Sequence, residues 1–256
     1  MTVESGREPR GATTLRDVLE RRLRERRRPR PGDQFYLHLA DLRVALAETL
    51  APARGEWLDF GSGTAPYRDL MPEARLFTAD LAGGEAFEVD YELGPNGECP
   101  CADESFDGVL STQVIEHAPD AAAHLADAFR VLRPGGRLVL STHGIWEEHG
   151  GLDFWRWTAA GLASAASDAG FQVDRVRKLT CGDRAAIMFL RRVFATTPPP
   201  ARGIVGALLW ALRTLDARFA ALDRYADRHL STPPRAADDA VLYIAILLEA
   251  HRPDSP

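Results

Sequence analysis

A chain of 256 residues with 45% hydrophobic and 27% charged residues fits one α/β domain with additions and a substantial core. The net charge of −6 is uneven, because residues 1–30 hold ten arginines against five acids. The acidic remainder excludes a broad nucleic-acid-binding face on the main body.

Residues 1–32 read as a basic N-terminal segment, polar and disordered over 1–12. No apolar signal-peptide core is present there and no run approaches the roughly 20 apolar residues that span a bilayer, so a cytoplasmic protein is expected. Thr13 or Thr14 caps a helix through Leu15, Val18, Leu19 and Leu23, ended by Pro29 and Pro31. The arginines of 21–30 could touch an acidic partner or a membrane surface; a solvated helix end is the simpler account. A second helix runs from Asp33 to Leu50 with apolar Phe35, Leu39, Leu42, Leu46 and Leu50, and Phe35 and Tyr36 could cover a ligand cleft.

Strand one, Trp57–Phe60, contains Asp59 and stops at Gly61-Ser62-Gly63. A buried strand ending in such a turn lets the backbone approach a ligand, and Pro66–Leu70 can open a helix facing it. Pro66 stands where the dinucleotide fingerprint has its third glycine, which counts against a nicotinamide or flavin enzyme. Strand two ends at Asp80-Leu81, and Asp80 follows Asp59 by 21 residues, the offset at which a carboxylate meets a ribose diol. A third strand, Phe87–Asp90, also ends in an acid, and Tyr91–Glu98 reads as a loop.

Ser105–Val114 reads as strand four, followed by Ile115-Glu116-His117 and a helix from Pro119 or Asp120 to Leu132. Arg133-Pro134-Gly135-Gly136 turns into strand five, Arg137–Ser141. Asp59, Gly61, Asp80, Asp90, Gln113 and His143 thus fall at strand C-terminal ends, where parallel α/β folds bind ligands. Beyond an unusual Trp- and His-bearing loop, Thr142–Thr158, come a helix to Ala169, strand six (Phe171–Leu179) and a last strand, Ala240–Leu248. The intervening residues 181–239 form a helical insertion with a Pro198–Pro200 hinge and an amphipathic helix from Ile204 to Leu222. Packing over the substrate side explains that helix more economically than membrane attachment or subunit pairing. Cys99 and Cys101, separated only by Pro100, make neither a disulfide framework nor a zinc site, and no metal ligand is assigned.

These residues resemble the class I S-adenosylmethionine-dependent methyltransferases, in the branch called type 11. The resemblance rests on Leu58–Thr64, Asp80-Leu81, Asp103–Asp107, Gln113–His117 and Val131–Leu138, and extends to Ser141–Gly144 and Asp153–Thr158. It implies a Rossmann-like, seven-stranded, mostly parallel sheet with an antiparallel last strand, plus N-terminal helices and a helical insertion, all within residues 33–256. It also implies S-adenosyl-L-methionine as cofactor, with Asp59, Gly61, Ser62 and Gly63 on its methionine part, Asp80 on the ribose hydroxyls and Leu81 among the cofactor-binding residues. Asp90 would approach the adenine amine, and Gln113 and His117 would line the cleft near the sulfonium. The expected acceptor is a small molecule or carbohydrate, methylated at oxygen; transfer to nitrogen or carbon, or a non-catalytic cofactor-binding partner, are the alternatives. His143 is the candidate general base, because an unshifted imidazole titrates near neutrality. His149, Asp153, Trp155 and Arg156 (with Trp157) are the candidate acceptor-pocket residues, aromatic faces suiting sugars or flat rings and Arg suiting an anion.

Overall fold

The computed structural model describes residues 14–81, 88–149, 152–196, 216–230 and 240–254. The readings made for residues 1–12, Phe87, the Pro198–Pro200 hinge and the helix start at 204–215 lie outside these.

Seven strands form one sheet in the order β3-β2-β1-β4-β5-β7-β6. They are β1 (Gly55–Phe60), β2 (Ala74–Asp80), β3 (Tyr91–Glu92), β4 (Phe106–Thr112), β5 (Leu132–His143), β6 (Gln172–Cys181) and β7 (Tyr243–His251). The first five pair in parallel, and β7 inserts antiparallel between β5 and β6. The expected Rossmann-like, mostly parallel sheet is therefore present, with its antiparallel last strand.

Strand periodicity divides the core into two layers. Leu58, Phe60, Leu138, Leu140, Ile246 and Leu248 face helices α3 (Ala121–Val131) and α4 (Ala159–Asp168). Their neighbours Trp57, Val139, Ala245 and Leu247 face α2 (Tyr36–Leu50), which supplies Leu42, Leu46 and Leu50. Buried on both faces, these strands read as continuous apolar runs. Within them polar side chains are also buried, Asp59 in β1 being a carboxylate.

Helix starts follow the capping residues. Thr14 forms a capping box with Asp17 at α1 (Leu15–Arg27), Asp120 caps α3 and Thr158 caps α4, each side chain accepting from a backbone N–H in the first turn. Within the insertion, α5 (Gly182–Thr196) and α6 (Asp216–His229) pack on the start of α2. Arg184 of α5 pairs with Asp41 of α2 and Asp227 of α6, and Arg191 pairs with the fully buried Asp223. Among the described residues no helix is long and apolar enough to cross a membrane.

Three local expectations are corrected. After the glycine turn there is no α-helix, only a 3-10 turn at Arg68–Leu70, because Pro66 and Pro72 leave too little chain before β2. Strand three is Tyr91–Glu92, inside the segment read as a loop; Tyr91 and Glu92 pair with Ala79 and Asp80. Asp90 consequently precedes the strand rather than ending it. Finally, β5 starts at Leu132 and carries the Arg133–Gly136 turn as a register shift against β4 rather than as a separate connection.

Candidate active site

The ends of β1 and β2 are tied together around the glycine turn. The N–H groups of Gly61 and Ser62 donate to Ala79 O at 2.8 and 3.0 Å, and Gly63 N–H donates to the Asp80 carboxylate at 2.5 Å. Gly61 has φ +81°, and a Cβ there would meet the Val114 side chain at 2.4 Å; Gly63 has φ +50° with open space beside it. The turn thus packs on the residue that follows Gln113, joining the β1 and β4 ends, while Gly63 leaves room for a ligand. Leu81, half-exposed, lies next to Asp80 and donates its N–H to that carboxylate.

Asp59 lies beneath the turn. Both of its carboxylate oxygens are buried without a hydrogen-bond partner. Burial, with a smaller contribution from the charge of Asp80, pushes its pKa up to about 7. A buried carboxylate lacking a partner fits a ligand that brings a cation or N–H groups. The α-ammonium of S-adenosylmethionine is such a group, and the Asp80 carboxylate beside the open Gly63 turn fits its ribose diol. Burial raises the pKa of Asp80 as well, opposed by its two backbone hydrogen bonds.

A second group forms where β4 and β5 end. Gln113 adopts φ +57°, donates its N–H to Ser141 O at 2.8 Å, and leaves its Oε1 buried and unpaired. Glu116, fully buried, accepts from Thr142 Oγ1 through one oxygen at 2.8 Å. Its other oxygen is unpaired and stands 3.7 Å from His143 Nε2. Burial pushes the Glu116 carboxyl up to about 7 and drives the His143 pKa well below its usual value. The ring of His38 in α2 is tilted against His143 at 5.5 Å, and Trp146 stacks on His143 at 5.9 Å. His149 meets His143 and His117 edge-on, each at 5.0 Å between ring centroids.

The loop after β5 folds back over this group. Phe154 and Trp155 donate their N–H groups to Glu116 O at 2.8 and 3.3 Å, and Trp157 N–H donates to His143 O at 3.1 Å. Trp155 Nε1 donates to Ala118 O at 2.8 Å while its ring remains partly exposed. Ile145, Leu152 and Phe154 are likewise exposed, so an apolar rim borders the buried polar cluster.

The sequence-derived site residues therefore divide. Asp59, Gly61, Ser62, Gly63, Asp80 and Leu81 share the β1–β2 end, and Gln113, His117, His143 and His149 share the β4–β5 end. Asp90 is drawn aside: its carboxylate accepts from Thr78 N–H and Oγ1, both at 2.8 Å. Arg156 was expected to suit an anionic acceptor; its guanidinium nitrogens are instead bonded to Asp153 and to the carbonyls of Trp146, Glu147 and Trp155. Asp153 is buried in that pair, which holds its pKa well below the carboxylate range. Both brace the loop, and Trp157 packs against the core. Glu116 and His38 carried no assigned role in the sequence. Glu116 sits beside His117 after a strand, a usable signal, but nothing local reveals its burial, and His38 is one of several polar residues in α2.

A family profile described as a methyltransferase domain matches residues 32–176, more than half of the chain. The chain belongs to this family of S-adenosylmethionine-dependent methyltransferases. The methyltransferase is 29% identical to the demethylmenaquinone methyltransferase of Deinococcus radiodurans over 177 residues, 62% of this chain and 68% of that one. It is 34% identical to the arsenite methyltransferase of Halobacterium salinarum over 109 residues, 36% of this chain but 28% of the relative. It is also 32% identical to the malonyl-acyl-carrier-protein O-methyltransferase of Methylococcus capsulatus over 109 residues, 37% and 40% of the two chains. In these last two cases the chain spans less than half of the relative's length. Among solved structures, a chain from the complex of the Haloferax volcanii Trm112 methyltransferase activator superimposes with TM-score 0.52 at 20% identity, covering 95% of this methyltransferase and 99% of that chain. The cyclase SpnF superimposes with TM-score 0.53 at 20% identity, over 86% and 83% of the chains. Likeness at this level is likeness of fold. S-adenosylmethionine is the cofactor, and the relatives' acceptors differ from one another.

Proposed function

We propose that the methyltransferase transfers the methyl group of S-adenosylmethionine to a hydroxyl oxygen of a small molecule or carbohydrate. The carrying observation is the unpaired Glu116 Oε1 beside His143 Nε2, 3.7 Å apart and buried at the end of the sheet. Transfer to carbon or nitrogen has less use for a buried proton acceptor at that place.

In this reading Asp59 accepts from the α-ammonium of the cofactor and the Gly61–Gly63 turn lies along its methionine part. Asp80 accepts from the ribose hydroxyls, Leu81 lies along the adenosine, and Gln113 and His117 face the sulfonium side. Asp90 fixes β3 to β2 through Thr78 and reaches the adenine only through that placement. The cofactor, when bound, supplies an electrophilic methyl on a sulfonium leaving group. His143, neutral because of its burial, draws the acceptor proton at Nε2, and Glu116, whose Oε1 stands 3.7 Å from that same nitrogen, shares the positive charge. Holding the acceptor oxygen in line with the methyl contributes roughly 7–11 kcal/mol, and the base about 10²–10⁴-fold. His149 and Trp155, with Trp146 and the exposed rim, receive the acceptor. Helix α5 covers that side: Phe189 packs on Trp146 at 5.8 Å, and Arg192 pairs with Glu147.

The test is calorimetric titration with S-adenosylmethionine and S-adenosylhomocysteine on the native protein and on Asp80→Ala, followed by turnover with hydroxylated sugars and phenols. Losing charge-assisted hydrogen bonds should weaken binding in the variant roughly 10- to 100-fold. His143→Ala should then lower kcat for a hydroxyl acceptor by about 10²–10⁴. Turnover on a carbon or nitrogen acceptor that is indifferent to His143→Ala would refute oxygen transfer.

A further inference from the structure

The β4 and β5 ends gather more metal-binding groups than proton transfer requires. Glu116, His143 and His149 each offer one donor atom, and the three atoms lie within 4.8 Å of one another. Glu116 and His143 are buried, and Glu116 Oε1 has no hydrogen-bond partner. We propose that these three side chains bind one divalent first-row transition-metal ion. The inference rests on the acceptor oxygen lying against His143 and states how that oxygen is activated.

The donor set selects the ion class. Two imidazoles and one carboxylate suit zinc, iron(II), cobalt or nickel, whereas magnesium and calcium take oxygen donors. Donors on a tetrahedral zinc with bonds of about 2.0–2.1 Å stand roughly 3.3 Å apart. The Glu116–His143 separation of 3.7 Å is close to that already. The 4.8 Å limit asks for an inward swing of up to about 1.5 Å by His149, the least buried of the three. Outer partners are also in place to orient the donors. Thr142 Oγ1 holds the second oxygen of Glu116 at 2.8 Å. The Nδ1 of His149 faces Asp153 Oδ2 at 3.2 Å, and that carboxylate is itself held by Arg156 and the His149 N–H.

Three protein donors leave a coordination position open on the cleft side, as catalytic sites do. An acceptor hydroxyl entering it loses its proton to solvent, because the cation's charge stabilises the alkoxide. The oxygen lone pair then forms the new C–O bond. The electron pair of the breaking C–S bond stays on sulfur, and the sulfonium becomes a neutral thioether. With the ion bound, His143 is a ligand rather than the base.

The experiment uses the full-length protein stripped with chelator and dialysed, then titrated with cobalt chloride and with zinc chloride. Visible absorption reads the cobalt, and elemental analysis after gel filtration gives the stoichiometry. One equivalent should bind, with the intense visible bands of four- or five-coordinate cobalt. His149→Ala and Glu116→Gln should each weaken binding at least tenfold, and His251→Ala, a histidine outside the cluster, should leave it unchanged. Melting temperatures identify any variant that has not folded, and His149→Gln serves as the second His149 variant. Substoichiometric binding by the native protein, or affinity unchanged in folded His149→Ala and Glu116→Gln, overturns the proposal. Cofactor binding and His143-dependent turnover in metal-free enzyme would leave the oxygen-transfer reading standing and remove the metal.

Discussion

Glu116 and His143, from the ends of neighbouring parallel strands, place an unpaired carboxylate oxygen 3.7 Å from an imidazole nitrogen with both side chains buried. Glu116→Gln keeps an oxygen able to accept from Thr142 but removes the charge facing His143. We expect kcat for a hydroxyl acceptor to fall by about 10-fold or more, with cofactor affinity changed less than about threefold. Initial rates and calorimetry on the same preparation check both halves. An unchanged kcat would take Glu116 out of the reaction.

Asp59 supplies a pH signature. Its pKa is about 7 in the folded protein against 3.8 for the free side chain. Between these values the folded state holds a proton that the unfolded state has lost. Stability of the ligand-free protein therefore falls as pH rises from about 4 to about 7, by up to a few kcal/mol. Asp59→Asn should flatten that part of the profile in thermal denaturation. Because a cofactor ammonium favours the ionised carboxylate, native affinity for S-adenosylmethionine should rise through pH 7 while that of the variant does not. Parallel profiles for the two proteins would remove the assignment.

Gly61 is constrained twice, by its φ of +81° and by Val114. Gly61→Ala should cost about 1–2 kcal/mol for the left-handed backbone alone and also displace the Val114 contact. Cofactor binding should weaken by tenfold or more, because the turn moves. In Gly61→Ala/Val114→Ala the steric part is relieved and the backbone part remains. The double variant should regain stability over Gly61→Ala without reaching the native melting temperature.

Arg191 and Asp223 join α5 to α6 through contacts of 2.7 and 2.9 Å, and Asp223 also accepts from Gly32 N–H at 2.8 Å. Asp223→Ala leaves a guanidinium buried without its carboxylate, and the expected loss is about 3–5 kcal/mol. Urea denaturation measures it. A loss below about 1 kcal/mol would mean that the insertion helices contribute little to the fold.

The sheet was legible in the sequence because its signals are local. Apolar runs such as Trp57–Phe60 and Val139–Leu140 end at glycines or polar residues, and Thr14, Asp120 and Thr158 mark helix starts through their own side-chain chemistry. β3 was misplaced because Tyr91 and Glu92 pair with β2 over only two residues, and so short a strand has no periodicity to read.

By itself the sequence determined the fold class, the glycine turn after β1 and the two acids, Asp59 and Asp80, that flank it, since each lies within or immediately after one strand. Only the tertiary structure decided what the remaining polar residues do. Arg156 is consumed by Asp153 and loop carbonyls, Asp90 by Thr78, and Glu116 meets His143 and His149 across a chain separation that no local pattern spans. The physical reason is burial. Whether a charged side chain holds a loop or waits for a ligand depends on which partners the packed chain brings within hydrogen-bond reach, and that follows from the register of the strands around it.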